Sequence, residues 1–132
     1  MTQQHSLLHV GMADFSEQTL LLIGDVNSLA WLAEQIETRR EITLAEMHGF
    51  VRLTGVGLHL IPVKQSGSLT RLGESFNWEI SAIEARHLAQ QLRELATATA
   101  PAHAYLDSES NVTGVQVVAS KGEYDPEKVF AL

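Results

Sequence analysis

The sequence predicts an α+β fold: tandem β-α-β-β modules related by a pseudo-twofold axis, with a mainly antiparallel sheet carrying two helices on one face. Three observations predict it. Shifting the chain against itself by about 56 residues sets Thr19–Asp25 on Ser75–Ser81 and Leu32–Ile36 on Leu88–Leu92, and one residue more sets Gly57–Ile61 on Gly114–Val118. In the second module the apolar spacing changes from the two-residue period of a strand to the 3.6-residue period of a helix, and in the first a continuous apolar run gives way to the same helical period. At both changes stands a residue able to cap a helix, Asp25 or Ser81.

Taken in order, Leu7 to Met12 reads as an added edge strand. Leu20 to Ile23 is apolar on both faces, as a central strand is. Behind Asp25, the residues Leu29, Leu32, Ala33 and Ile36 form one helical stripe, and Arg39-Arg40 complements that helix's carboxyl end. Strands are expected within Ile42 to Leu53 and from Leu58 to Val63, punctuated by Gly55-Val56-Gly57. Residues 64–74, with Gly67 and Gly73, read as a connector between modules.

In the second module, Phe76, Trp78 and Ile80 alternate with Ser75, Asn77 and Glu79, the pattern of a half-buried strand. Ser81-Ala82-Ile83-Glu84 fits a capping box. Ala85, Leu88, Ala89, Leu92 and Leu95 continue the second stripe, which fades near Ala98, before Pro101. His103–Leu106 and Thr113–Ala119 form a hairpin around the loop Asp107–Asn111. Asp125-Pro126 starts a short helical turn, with proline at its first position. The expected organisation is one domain over residues 1–132. Modules at about 15–63 and 75–120 share a core, and residues 121–132 form a short tail, because each module alone would leave its apolar faces wet.

Composition narrows the function. The chain has 132 residues, 45% of them hydrophobic and 19% charged, and no cysteine, so disorder, a disulfide framework and thiolate metal ligation are excluded. Nine basic residues against sixteen acidic ones give a net charge of −7. That balance disfavours nucleic acid and anionic membrane surfaces, both of which need clustered Lys and Arg. The start, Met1 to His5, lacks Lys and Arg, and the longest aliphatic run, Leu20 to Ile23, is too short to span a bilayer. A cytoplasmic protein is expected.

No residue set reads as catalytic. The six histidines, His5, His9, His48, His59, His87 and His103, include no metal-binding helical pair and no HExxH. The loop Asp107-Ser108-Glu109-Ser110-Asn111 begins like a calcium loop. It then has Val112 where glycine is needed and Val118 where a bidentate glutamate is needed. Gly55-Val56-Gly57 lacks the third glycine of a dinucleotide fingerprint. No metal or cofactor is assigned.

What remains is a set of candidate contact residues. His59 and its repeat partner Gln116 would point away from the helices onto a shared sheet surface. Trp31 stands off the apolar stripe, where it either packs on the connector or N-terminal segment or anchors a partner, as indoles do at interfaces. His87 takes the equivalent place on the second helix. Asp107 and Glu109 supply an acidic hairpin tip.

The run Leu20 to Ala33, with Gly24-Asp25 followed by leucines at helical spacing, resembles the opening of small bacterial proteins of the polymorphic-toxin immunity type. His103 to Asp107 followed by Val115 to Ala119 is similar to their hairpin. The resemblance implies a small acidic inhibitor that binds a toxin enzyme without chemistry of its own. A second resemblance, of the tandem modules to the vicinal-oxygen-chelate fold, implies a divalent metal held by His9, His59, Glu79 and Glu109. Against it, His9 precedes the repeat unit and Glu109 sits in a hairpin tip. The expectation is therefore a non-enzymatic module binding a basic protein partner, with a metalloenzyme or a homodimeric structural or small-ligand domain as alternatives.

Overall fold

A computed structural model describes residues 7–130. His5 and the outer ends of the N-terminal arm and the tail lie outside them. Over the described residues the fold is α+β, with ten strands in two mixed sheets and three helices. The strands are β1 (Leu8–Asp14), β2 (Gln18–Ile23), β3 (Ile42–Thr43), β4 (Val51–Thr54), β5 (Gly57–Pro62), β6 (Ser68–Leu72), β7 (Ser75–Ile80), β8 (Ala102–Tyr105), β9 (Ser110–Asn111) and β10 (Gln116–Lys121). The helices are α1 (Val26–Glu37), α2 (Ala82–Ala96) and the single turn α3 (Pro126–Val129), with a 3-10 turn at Leu44–Glu46.

Sheet A has the order β4-β1-β2-β10-β8, and sheet B the order β3-β5-β7-β6-β9. Antiparallel pairs join β1 to β2, β8 to β10, β3 to β5 and β6 to β7. Parallel pairs join β1 to β4, β2 to β10, β5 to β7 and β6 to β9. The expected antiparallel majority is thus replaced by an even mixture, divided between two sheets. The cause is exchange between the chain's halves: β10 returns to lie beside β2 and β5 beside β7, and both pairings are parallel. Reading β6 to β10 for β1 to β5 converts the strand order and pairing senses of sheet A into those of sheet B.

Three local expectations change. The first strand is no edge, because β1 is flanked by β2 and β4. The supposed connector holds β6, joined to β7 through Gly73-Glu74, where Gly73 adopts φ 63°. Arg39, instead of serving its helix end, takes φ 57° and donates to the carbonyls of Ile80 (2.5 Å) and Val63 (2.7 Å), clamping sheet B's margin.

The helices form where expected. Asp25 accepts from the Asn27 and Ser28 amides, and the Ser28 hydroxyl accepts from the Asp25 amide, closing a capping box. The predicted stripes of α1 and α2 are buried and pack on each other. One core holds them together with Leu8, Val10, Leu20 and Leu22 of sheet A and Leu58, Leu60, Leu69, Phe76 and Trp78 of sheet B. Trp78 Nε1 finds no acceptor among the described residues. The outer face of sheet A is covered at Ala13, Leu21, Ile23 and Val118 by Phe130 and Val129 at the chain's end. The outer face of sheet B carries His59, Asn77, Glu79, Ser68 and Thr70, with Ile61 and the exposed Leu72 among them.

Candidate protein-binding surface

Of the six expected contact residues, the structure brings His87 and Asp107 into one groove. With Glu84, Gln90, Gln91 and Glu94 they line a volume of about 400 Å³ between α2 and the chain leaving β8. Helical periodicity explains one wall: burying Ala85, Leu88 and Leu92 turns His87, Gln90 and Glu94 outward. The other wall is fixed by Leu106, which is buried and donates its amide to the Val117 carbonyl at 2.9 Å. Gln91 Nε2 donates to the Tyr105 carbonyl at 2.9 Å and ties the two walls together.

Glu84 holds the floor. Its Oε1 accepts the Ser81 amide at 3.0 Å, the reciprocal half of the predicted capping box, and its Oε2 accepts the Glu109 amide at 2.9 Å. The capping box was legible in the sequence; its second use, fastening the acidic tip, was not, since nothing local joins residue 84 to residue 109. Gly67 lies against this carboxylate, and a Cβ there would collide with Glu84 Oε1 and with the Glu79 carbonyl. Ser110 donates to the Gly67 carbonyl at 3.2 Å, so the connector, the tip and the start of α2 are knitted together.

Gln90 and Glu94 also border a second depression of about 490 Å³ with Glu37, Arg86, Arg93 and Thr97. Arg93 and Glu37 form an ion pair between the helices, which lowers the Glu37 pKa and raises that of Arg93 through their mutual hydrogen bond. With Arg93 matched in this way, Glu94, Asp107 and Glu109 outnumber Arg86 around the ridge.

The other expected residues lie elsewhere. Trp31 is half-buried and stacks on Phe50, with ring centroids 5.0 Å apart and planes 3° apart; among the described residues its ring partner thus lies in the segment before β4. His59 and Gln116 share no surface, because β5 belongs to sheet B and β10 to sheet A. Their proposed equivalence also slips: His59 stands opposite Asn77, while in sheet A it is Val118 that stands opposite Leu21, the residue about 56 positions before Asn77. His59 Nε2 lies 3.5 Å from a Glu41 carboxylate oxygen, and Gln116 Nε2 donates to Thr19 Oγ1 at 2.9 Å.

Glu79 accepts from Ser68 Oγ at 2.9 Å on the outer face of sheet B, and His9 lies on sheet A. The four residues of the chelate-type resemblance are therefore spread over two sheets and a loop. Among the described residues no three of His, Asp or Glu are grouped to hold a metal, and no helix is long and apolar enough to cross a membrane.

Near sheet A's other margin, Ser120 Oγ (2.7 Å) and His103 Nδ1 (3.0 Å) meet the Glu123 carboxylate. Burial raises the Glu123 pKa, but the two hydrogen bonds and the imidazole outweigh it and hold the carboxyl below its ordinary value. The serine hydroxyl donates to the glutamate and meets no imidazole base, so the trio lacks a nucleophile's geometry.

No protein-family model matches the chain, and no curated protein matches it significantly. Among solved structures it is similar to Drosophila Suppressor of Fused, at 11% identity and a TM-score of 0.47, over 86% of this chain and 26% of that one. The chain thus spans about a quarter of that protein's length.

Proposed function

We propose that this chain is a non-enzymatic protein-binding module whose partner is basic, in the manner of an immunity protein that occupies a toxin enzyme. The observation that carries this reading is the groove beside α2. There His87, Asp107, Gln90 and Glu94 stand exposed on a scaffold that is held from beneath by buried hydrogen bonds. A rigid acidic surface favours a cationic partner by steering its approach and by charge complementarity, and a pre-formed loop is not ordered at the moment of binding. The net charge of −7 extends the same bias over the whole molecule.

The test is co-expression with toxin domains encoded beside the gene. Rescue of growth and a stable complex are expected, and both should weaken in Asp107→Lys/Glu94→Lys. Absence of rescue and of any complex would overturn the reading.

A further inference from the structure

A further cleft lies on sheet A, lined from β1, β4 and α3, and shares no residue with the proposed partner surface. Parallel pairing of β1 with β4 places His9 directly opposite Arg52 and Gly11 opposite Thr54. The strand period of two sets these four positions on the outer face of sheet A. Gly11 lets the chain's end approach: a Cβ there would fall 2.7 Å from the Phe130 ring. The strap made by α3 thus closes over the sheet margin and leaves a cleft of about 300 Å³ lined by His9, Arg52, Thr54, Pro126, Glu127 and Phe130. That volume is at the lower end of the range for small-molecule sites.

The lining is unusual for so acidic a chain. Among the described residues, the Arg52 guanidinium, the His9 ring and the Thr54 hydroxyl make no hydrogen bond or ion pair. The donors therefore stand side by side with no acceptor bonded to them, although the Glu127 carboxylate lines the same cleft. Burial first, and then the neighbouring Arg52 charge, lower the His9 pKa against an opposing pull from Glu127, so the imidazole is neutral at neutral pH. Ile23, opposite His9 on β2, adds no charge. A guanidinium fork beside a hydroxyl and an imidazole N–H matches the lone pairs of a planar carboxylate or of a phosphoryl group. Phe130 and Pro126 offer apolar surface to whatever carries it.

We infer that this cleft binds a small organic oxyanion, with Arg52 taking the charged oxygens, Thr54 and His9 completing their hydrogen bonds, and Phe130 packing against the ligand's apolar part. Glu127 sets a limit, because its carboxylate repels the same charge.

The experiment titrates the full chain with benzoate, phenyl phosphate and inorganic phosphate, reading amide shifts by NMR, with benzyl alcohol as the uncharged control. Saturable shifts centred on His9, Gly11 and Thr54 are expected from benzoate or phenyl phosphate. Whichever of them binds tells a carboxylate ligand from a phosphoryl one, and inorganic phosphate should bind more weakly. Arg52→Met should weaken binding at least about tenfold. Glu127→Gln, on an exposed turn that cannot unfold the sheet, should tighten it severalfold, and Arg71→Met, at a remote arginine, should leave it unchanged. No saturation by either aromatic anion, saturation by benzyl alcohol alone, or affinity indifferent to both Arg52 and Glu127, would overturn the inference.

Discussion

Glu84 shows how one carboxylate can serve two structures. It closes the α2 capping box and fastens the tip at Glu109, although the two lie far apart in sequence. A hydrogen bond to a charged group contributes about 1.5–3 kcal/mol. Glu84→Gln, which keeps one carbonyl acceptor but loses the charge, should raise amide exchange at Glu109 and Ser110 more than in the middle of α2. Equal exchange at both places would mean that the tip is held by other contacts. His9 makes a complementary prediction about pH. Its folded pKa lies below 6.5, so below that pH the unfolded chain takes up a proton that the folded chain refuses. Stability should therefore fall as pH drops through 6.5 toward the folded value, and His9→Asn should flatten that part of a melting-temperature profile. An unchanged slope would show that His9 does not carry it. Glu123 acts lower on the scale: its depressed pKa gives stability that is present above about 4.5 and lost as pH falls through the folded value.

At the scale of elements, what is local is what could be read. The stripes of α1 and α2, both caps and the α3 turn depend on residues within a few positions of each other, and all stand where the spacing puts them. The strand β6 has no signal in the sequence: four of its five residues are partly or fully exposed and it follows Gly67, so neither alternation nor apolar run marks it. The flanking of β1 and the division into two sheets have no local signal either, since β4 and β10 reach their partners from remote parts of the chain. The same reason applies to the surfaces. His87 and Asp107 were each visible as exposed polar residues, but their meeting needs the turn after Leu106. The cleft at His9 and Arg52 needs a long-range parallel pairing as well as the chain's end. Within the core, Trp78 is 1% exposed, and Trp78→Ala should cost about 3–5 kcal/mol in chemical denaturation. Trp78→Phe should cost much less, because it also removes a buried N–H that lacks an acceptor. Similar losses for the two would contradict that account of the indole.

The whole molecule is organised by the exchange between its halves. Because β2 pairs with β10 and β7 with β5, neither half can complete a sheet, and each would expose the helix face that the other covers. Fragments 1–65 and 66–132 should therefore be unfolded apart by circular dichroism and should regain native signal on mixing; a half that folds alone would refute this. Such mutual dependence makes a stiff frame, and on it the acidic ridge of α2 and the fastened tip present a surface that does not have to be built on contact. The most direct test of that claim is the association kinetics of the chain with the basic partner proposed for it, a toxin domain found by co-expression, at low and high salt. The account predicts fast, salt-sensitive association, with Asp107→Lys/Glu94→Lys losing at least about tenfold in affinity, or 1.4 kcal/mol. Affinity and rate unchanged by that double substitution would contradict it.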